Sequence, residues 1–79
     1  MTIEQVTGLV ADEIRRATRK HGPMASGHEA YAVILEELDE LWDEIKTQYP
    51  DKGKQVNEAI QVAAMACRFI LDVACGEGR

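Results

Sequence analysis

The stretch Tyr31-Ala32-Val33-Ile34-Leu35-Glu36-Glu37-Leu38-Asp39-Glu40-Leu41-Trp42-Asp43-Glu44-Ile45 decides the fold. Its apolar residues recur every three or four positions, the period of a helix with one greasy side. On a wheel of about 100° per residue, Tyr31, Ile34, Leu35, Leu38, Leu41, Trp42 and Ile45 fill one broad face, and the other is almost entirely acidic. Ser26 followed by Glu29 reads as a capping box, so the helix is expected from about residue 27 to residue 48. Trp42 sits among Leu35, Leu38 and Ile45, a core position rather than a platform for a base.

Two more helices flank it. Thr2 with Gln5 is another capping box, and Ile3, Val6, Leu9, Val10, Ile14 and Ala17 keep helical spacing. Arg15, Arg16, Arg19 and Lys20 crowd the C-terminal turns, where cations suit the helix dipole, and His21-Gly22-Pro23 ends the segment. A helix over residues 2–20 is predicted. Tyr49-Pro50-Asp51-Lys52-Gly53 is a turn by composition, and a third helix is expected over 54–75, closed by Gly76. From Ala59 to Cys75 that helix is apolar nearly all round and rich in small residues: Ala59, Ala63, Ala64, Ala66, Cys67 and Ala74. A helix without a polar face asks for burial on every side. Three short helices cannot supply that from one chain. The expected architecture is therefore one all-α domain over 1–79, an antiparallel helical bundle completed by homo-oligomerisation, as a homodimer or a dimer of dimers. The tail Gly76-Glu77-Gly78-Arg79 is expected to be loose.

Composition narrows the function. At 79 residues the chain is one domain, and a domain this short covers only about 60% of its unfolded surface, so its own core is marginal. Nine basic and 14 acidic residues leave a net charge of −5, which disfavours nucleic acid and anionic membranes as partners. A phosphate-bearing substrate would need a cation as intermediary. The longest purely apolar run, Val62 to Cys67, is six residues, far below a membrane span. Cys67 and Cys75 lie ~12 Å apart along one helix, too far for a disulfide. With His21 and His28 they make no zinc-ligand spacing. No secretion signal opens the sequence, so the cytoplasm is the expected compartment.

The acidic residues of the central helix are not evenly placed. Glu37, Glu40 and Glu44 fall at i, i+3 and i+7, one line along the helix, and like charges at that spacing destabilise it. Glu37 borders the apolar face beside Ile34 and Leu41, where a carboxylate is costly unless paired or metal-bound. In the third helix the few polar residues, Glu58, Gln61, Arg68 and Asp72, share one stripe with Met65. Two antiparallel helices presenting Glu37 and Glu40 on one side and Glu58 and Gln61 on the other would gather four oxygen ligands, a set that suits Mg²⁺. Against this stand two plainer readings, a solvated acidic face and a Glu58 that merely complements the helix dipole. Arg68 also fits as an i,i+4 partner of Asp72.

Ile34-Leu35-Glu36-Glu37-Leu38-Asp39-Glu40-Leu41 followed by Glu58-Ala59-Ile60-Gln61 resembles the MazG-like all-α nucleoside triphosphate pyrophosphohydrolases, whose pattern is E-x-x-E, a spacer, then E-x-x-D. The likeness spans about residues 25–72. It implies Mg²⁺ held by Glu37, Glu40, Glu58 and Gln61, and hydrolysis of a nucleoside triphosphate to the monophosphate and pyrophosphate. Glu36 or Glu40 would take the proton from water, and Lys52, Lys54 and Arg68 would contact phosphate. Gln61 departs from the family, which has Asp there: an amide oxygen can coordinate but brings no charge. The alternative is a non-catalytic relative, a helical oligomer that binds metal, nucleotide or another protein without turnover. A purely structural dimerisation module, with acids that serve only solubility, is a third.

Overall fold

In the computed structural model, which describes residues 1–76, the chain forms three α-helices, a π-helical turn and no strand. The expected tail beyond Gly76 lies outside the described residues. Helix α1 (Ile3–His21) starts on the anticipated box: the Thr2 N–H donates to Gln5 Oε1 at 2.8 Å and the Gln5 N–H to Thr2 Oγ1 at 3.1 Å. It ends where Gly22 takes φ 72° and donates its N–H to the Thr18 carbonyl at 2.8 Å. That left-handed φ favours glycine.

Helix α2 (Gly27–Lys46) is capped by Ser26, whose Oγ accepts from the Glu29 N–H at 3.1 Å. The reciprocal bond is displaced by one residue: Glu29 Oε2 accepts from the Ala25 N–H at 2.8 Å. The helix stops two residues short of the expected Gln48, because β-branched Thr47 leaves for extended backbone at ψ 151°. Helix α3 (Lys52–Phe69) begins earlier than expected, since Asp51 caps it by accepting from the Lys54 N–H at 3.2 Å. It also does not continue as α-helix to Cys75. Ile70–Ala74 widen into a π turn, closed by the Cys75 N–H donating to the Ile70 carbonyl at 2.8 Å.

The five-residue connection between α2 and α3 makes them antiparallel neighbours, and Gln55 Nε2 donates across it to the Glu44 carbonyl at 3.2 Å. α3 is the central element. α2 packs on one side of it and α1 on the other, with little contact between α1 and α2. The buried core is Ala17, Met24, Ala30, Ala64 and Met65, ringed by Val10, Ile14, Val33, Ile34, Phe69 and Val73. Among the described residues, no large side chain is completely buried. With α3 between α1 and α2, no further element among the described residues covers either side of the three helices.

This corrects the expected core. The row of α2 that meets α3 is Ala30, Val33, Ile34, Glu37, Leu41 and Glu44, all buried or half-buried, while Tyr31, Leu35, Leu38, Trp42 and Ile45 are exposed. Small Ala30 lets the helices approach about a quarter-turn away from the widest apolar face. Trp42 is half exposed, with the Lys46 ammonium 5.9 Å from its ring centre. In α3, likewise, burial is confined to the side shared with α1 and α2. Val56, Ala59, Ile70 and Leu71 are open on the other.

One polar network fastens the α1–α2 connection. Arg68 is buried, donating to the Gly22 carbonyl and, at 3.7 Å, to Met65 Sδ, with its Nε 3.9 Å from Asp72 Oδ2. Asp72 Oδ2 accepts in turn from the Met24 N–H at 2.9 Å.

Candidate metal centre

Helical spacing places Glu37 and Glu40 one turn apart on α2, and the antiparallel hairpin brings Glu58 of α3 opposite them. One carboxylate oxygen from each lies within 4.8 Å of the others. Glu37 and Glu58 are half-buried, and Glu40 is exposed. Glu58 Oε2 is buried with no hydrogen-bond partner, an arrangement that leaves an acceptor desolvated and uncompensated.

The electrostatics follow from that crowding. Burial, then the neighbouring Glu40, push the Glu37 carboxyl up to about 7, with Glu58 and Glu36 adding to the effect. Burial and Glu40 also raise Glu58, with a smaller push from Glu44. Glu40 faces both, and a proton shared with it favours their neutral forms. Three acids this close must hold a proton between them or share a cation.

Gln61 lies one turn beyond Glu58 and lines a cleft of about 400 Å³ that opens beside the cluster, between α1 and α2 and floored by α3. Its side chain helps hold Glu13 of α1 in the charged form. Glu36, Glu37 and Glu29 line one wall of the same cleft, and Arg16, His21 and Arg68 lie on the α1 side and floor. The cations there are already engaged: Arg16 grips Glu13 through two bonds of 2.7 and 2.6 Å, and Arg68 belongs to the Gly22–Asp72 network. Lys52 and Lys54 stand exposed on the first turn of α3 and are not among the residues lining the cleft.

The structure thus brings Glu37, Glu40 and Glu58 together, sets Glu36 and Gln61 beside them, and keeps Lys52 and Lys54 apart. Glu13 is a site-adjacent residue that the sequence reading missed. It is 9% exposed, and Arg16 holds its carboxyl below the usual range against the opposing effect of burial, with help from Gln61. Its signal was present: Val10, Glu13 and Ala17 fall on one helical stripe, so a carboxylate there must be buried.

The donor set fits a hard divalent cation, which takes carboxylate oxygens and keeps waters. The chain matches no family model, no curated protein and no solved structure. Among the described residues, no helix is long and apolar enough to cross a membrane.

Proposed function

We propose that the chain is a Mg²⁺-dependent nucleoside triphosphate pyrophosphohydrolase of the reducing cytoplasm. The observation that carries this reading is the trio of glutamates from two helices, with oxygens within 4.8 Å and one buried oxygen unpartnered. Glu37, Glu40 and Glu58 would hold the ion, with the Gln61 amide oxygen beside them. Once held there, such a cation would neutralise charge on a polyphosphate and would lower the pKa of a bound water.

The chain's own residues do the rest. Glu36 lies in the cleft wall next to Glu37 and accepts the proton as water oxygen attacks the α-phosphorus. The bond to the bridging oxygen breaks and pyrophosphate leaves with the electron pair. The adjoining cleft falls within the ~300–1,000 Å³ usual for small-molecule sites. Arg68, on its floor, orients the substrate only through the charge it has left over from Asp72. Lys52 and Lys54 meet phosphate only where the substrate extends over the start of α3.

A second reading has one observation in its favour. Gln61 offers an uncharged amide beside three carboxylates, which lowers the charge of the ligand set and suits a relative that binds metal, nucleotide or another protein without turnover. Pyrophosphate release from a panel of nucleoside triphosphates with Mg²⁺ separates the two. Release that drops about 100-fold or more in Glu40→Gln supports the hydrolase. A melting temperature raised by Mg²⁺ or nucleotide without release favours the binding module. No release and no shift leave neither standing.

A further inference from the structure

Arg16 stands on the α1 wall of the cleft, across from the acidic wall of α2. Its Nε and Nη2 donate to the two carboxylate oxygens of Glu13 at 2.7 and 2.6 Å, a forked grip on one edge of the guanidinium. Glu13 is buried, whereas the Arg16 side chain is half exposed. The carboxylate is therefore the fixed member of the pair, and the guanidinium is the group it holds in place. A guanidinium carries five N–H donors, and Glu13 takes two. The other three lie on the edge turned away from Glu13 and remain for an occupant of the cleft.

Helical direction sets where along the cleft this group lies. Long side chains lean toward the N-terminus of their helix, and Arg16 does so, reaching back one turn to Glu13. Beside Glu13 is Gln61, which helps keep it charged and stands one turn from Glu58 of the acidic trio. Gly22 and Met24 line the opposite end, where Arg68 and Asp72 fasten them. Arg16 accordingly belongs to the end of the cleft where Glu37, Glu40 and Glu58 meet, on the facing wall.

We propose that Arg16 binds the polyphosphate end of the substrate, the part that leaves as pyrophosphate, and that Glu13 is the positioning residue that holds it there. This inference rests on the hydrolase reading of the same site. A polyphosphate in the cleft meets the three carboxylates and their cation on one wall and this guanidinium on the other. The planar fork of arginine matches phosphate oxygens through paired bonds. When the water oxygen bonds to the α-phosphorus, its proton passes to Glu36 and the bond to the bridging oxygen breaks. The electron pair stays with pyrophosphate, and the free edge of Arg16 stabilises the charge that collects there. Because Glu13 cancels most of the long-range pull of Arg16, the contribution is one of directed bonds at short range.

Titration calorimetry with inorganic pyrophosphate in millimolar Mg²⁺ tests this without turnover. Arg16→Gln is expected to weaken pyrophosphate binding about tenfold or more and to leave the affinity for Mg²⁺ alone unchanged. Glu13→Gln is expected to weaken it when Arg16 is present and to add nothing in the Arg16→Gln background, a coupling that a merely structural role does not give. Equal pyrophosphate affinity in wild type and Arg16→Gln overturns the proposal, even where triphosphates are hydrolysed and the hydrolase reading stands. A wild type that binds no pyrophosphate with Mg²⁺ overturns it as well. Loss of the same size from Glu13→Gln in both backgrounds removes Glu13 as the positioning residue. Should Glu13→Gln fail to fold, the half-exposed Arg16 still decides through its own variant. Weakened binding in Arg16→Gln, from a chain that hydrolyses no triphosphate, upholds the phosphate contact and removes the hydrolase reading instead.

Discussion

Glu37 is where the chain's chemistry is most concentrated. It titrates near 7 where a free carboxyl does so near 4.5, so the folded chain holds that proton more tightly than the unfolded one. The stabilisation is complete below the unfolded value and is lost as pH rises through the folded one. Glu58, raised for the same reasons, acts in the same direction. Without divalent cations the melting temperature should therefore fall between about pH 5 and about pH 8, and millimolar Mg²⁺ should flatten the slope by taking the proton's place. Scanning calorimetry of the wild type and Glu37→Gln checks this; an equal slope in both would exclude Glu37 as its source. Gln61→Asp makes a second test. A full carboxylate beside Glu58 should tighten Mg²⁺ binding about tenfold, yet it also faces Glu13. The metal-free variant should accordingly melt lower than wild type, and titration calorimetry would show the compensating gain. At this scale Glu37 and Glu58 were legible, because each breaks an apolar pattern that leaves a carboxylate little choice. The partner of Gln61 was not, since local spacing cannot say which residue of a distant helix will face it.

Helix ends follow local chemistry and were read with small errors. Thr2, Ser26 and Asp51 each cap through a side-chain oxygen, a role that depends on neighbours within one turn. Ser26→Ala should cost about 1 kcal/mol in urea unfolding. Gly22→Ala meets open space but must keep φ 72°, and should cost about 1 kcal/mol by the same measurement. Loss of much more than that would mean Gly22 matters through its carbonyl bond to Arg68 instead. The π turn was not legible. Its geometry accompanies the Asp72 contact with Met24, 48 residues away in sequence, and no periodicity in Ile70–Ala74 encodes such a partner. The exposed apolar face of α2 shows a different limit. Spacing tells that Leu35, Leu38 and Ile45 form an apolar face; it does not tell whether the cover comes from the same chain.

Taken whole, the molecule sets α1 and α2 on either side of α3, with a charged cleft on one face and exposed apolar residues on the other. All-helical architecture was legible because three segments of helical period or composition and two breakers leave no room for strands. The place of α3 between the other two was not, because it depends on Ala17, Ala30 and Ala64 drawing the helices together at one narrow contact. If copies of the chain pair, as the near-polar-free third helix leads one to expect, unfolding couples to dissociation. The melting temperature should then rise with protein concentration, by RT ln of the dilution factor in free energy, whereas a monomer's would stay fixed. Differential scanning fluorimetry over a hundredfold dilution, about 2.7 kcal/mol, distinguishes them.

The Met24 amide has a consequence for motion. It lies in an irregular connection, where backbone protons ordinarily trade with deuterium in seconds or less, yet it is tied to an aspartate whose side chain is 1% exposed. To release it, the fastening by Arg68 must open as well, and that means wetting a buried ion pair. This proton should therefore persist as long as those of the middle of α3, so the apparent hinge between the first two helices is a clasp.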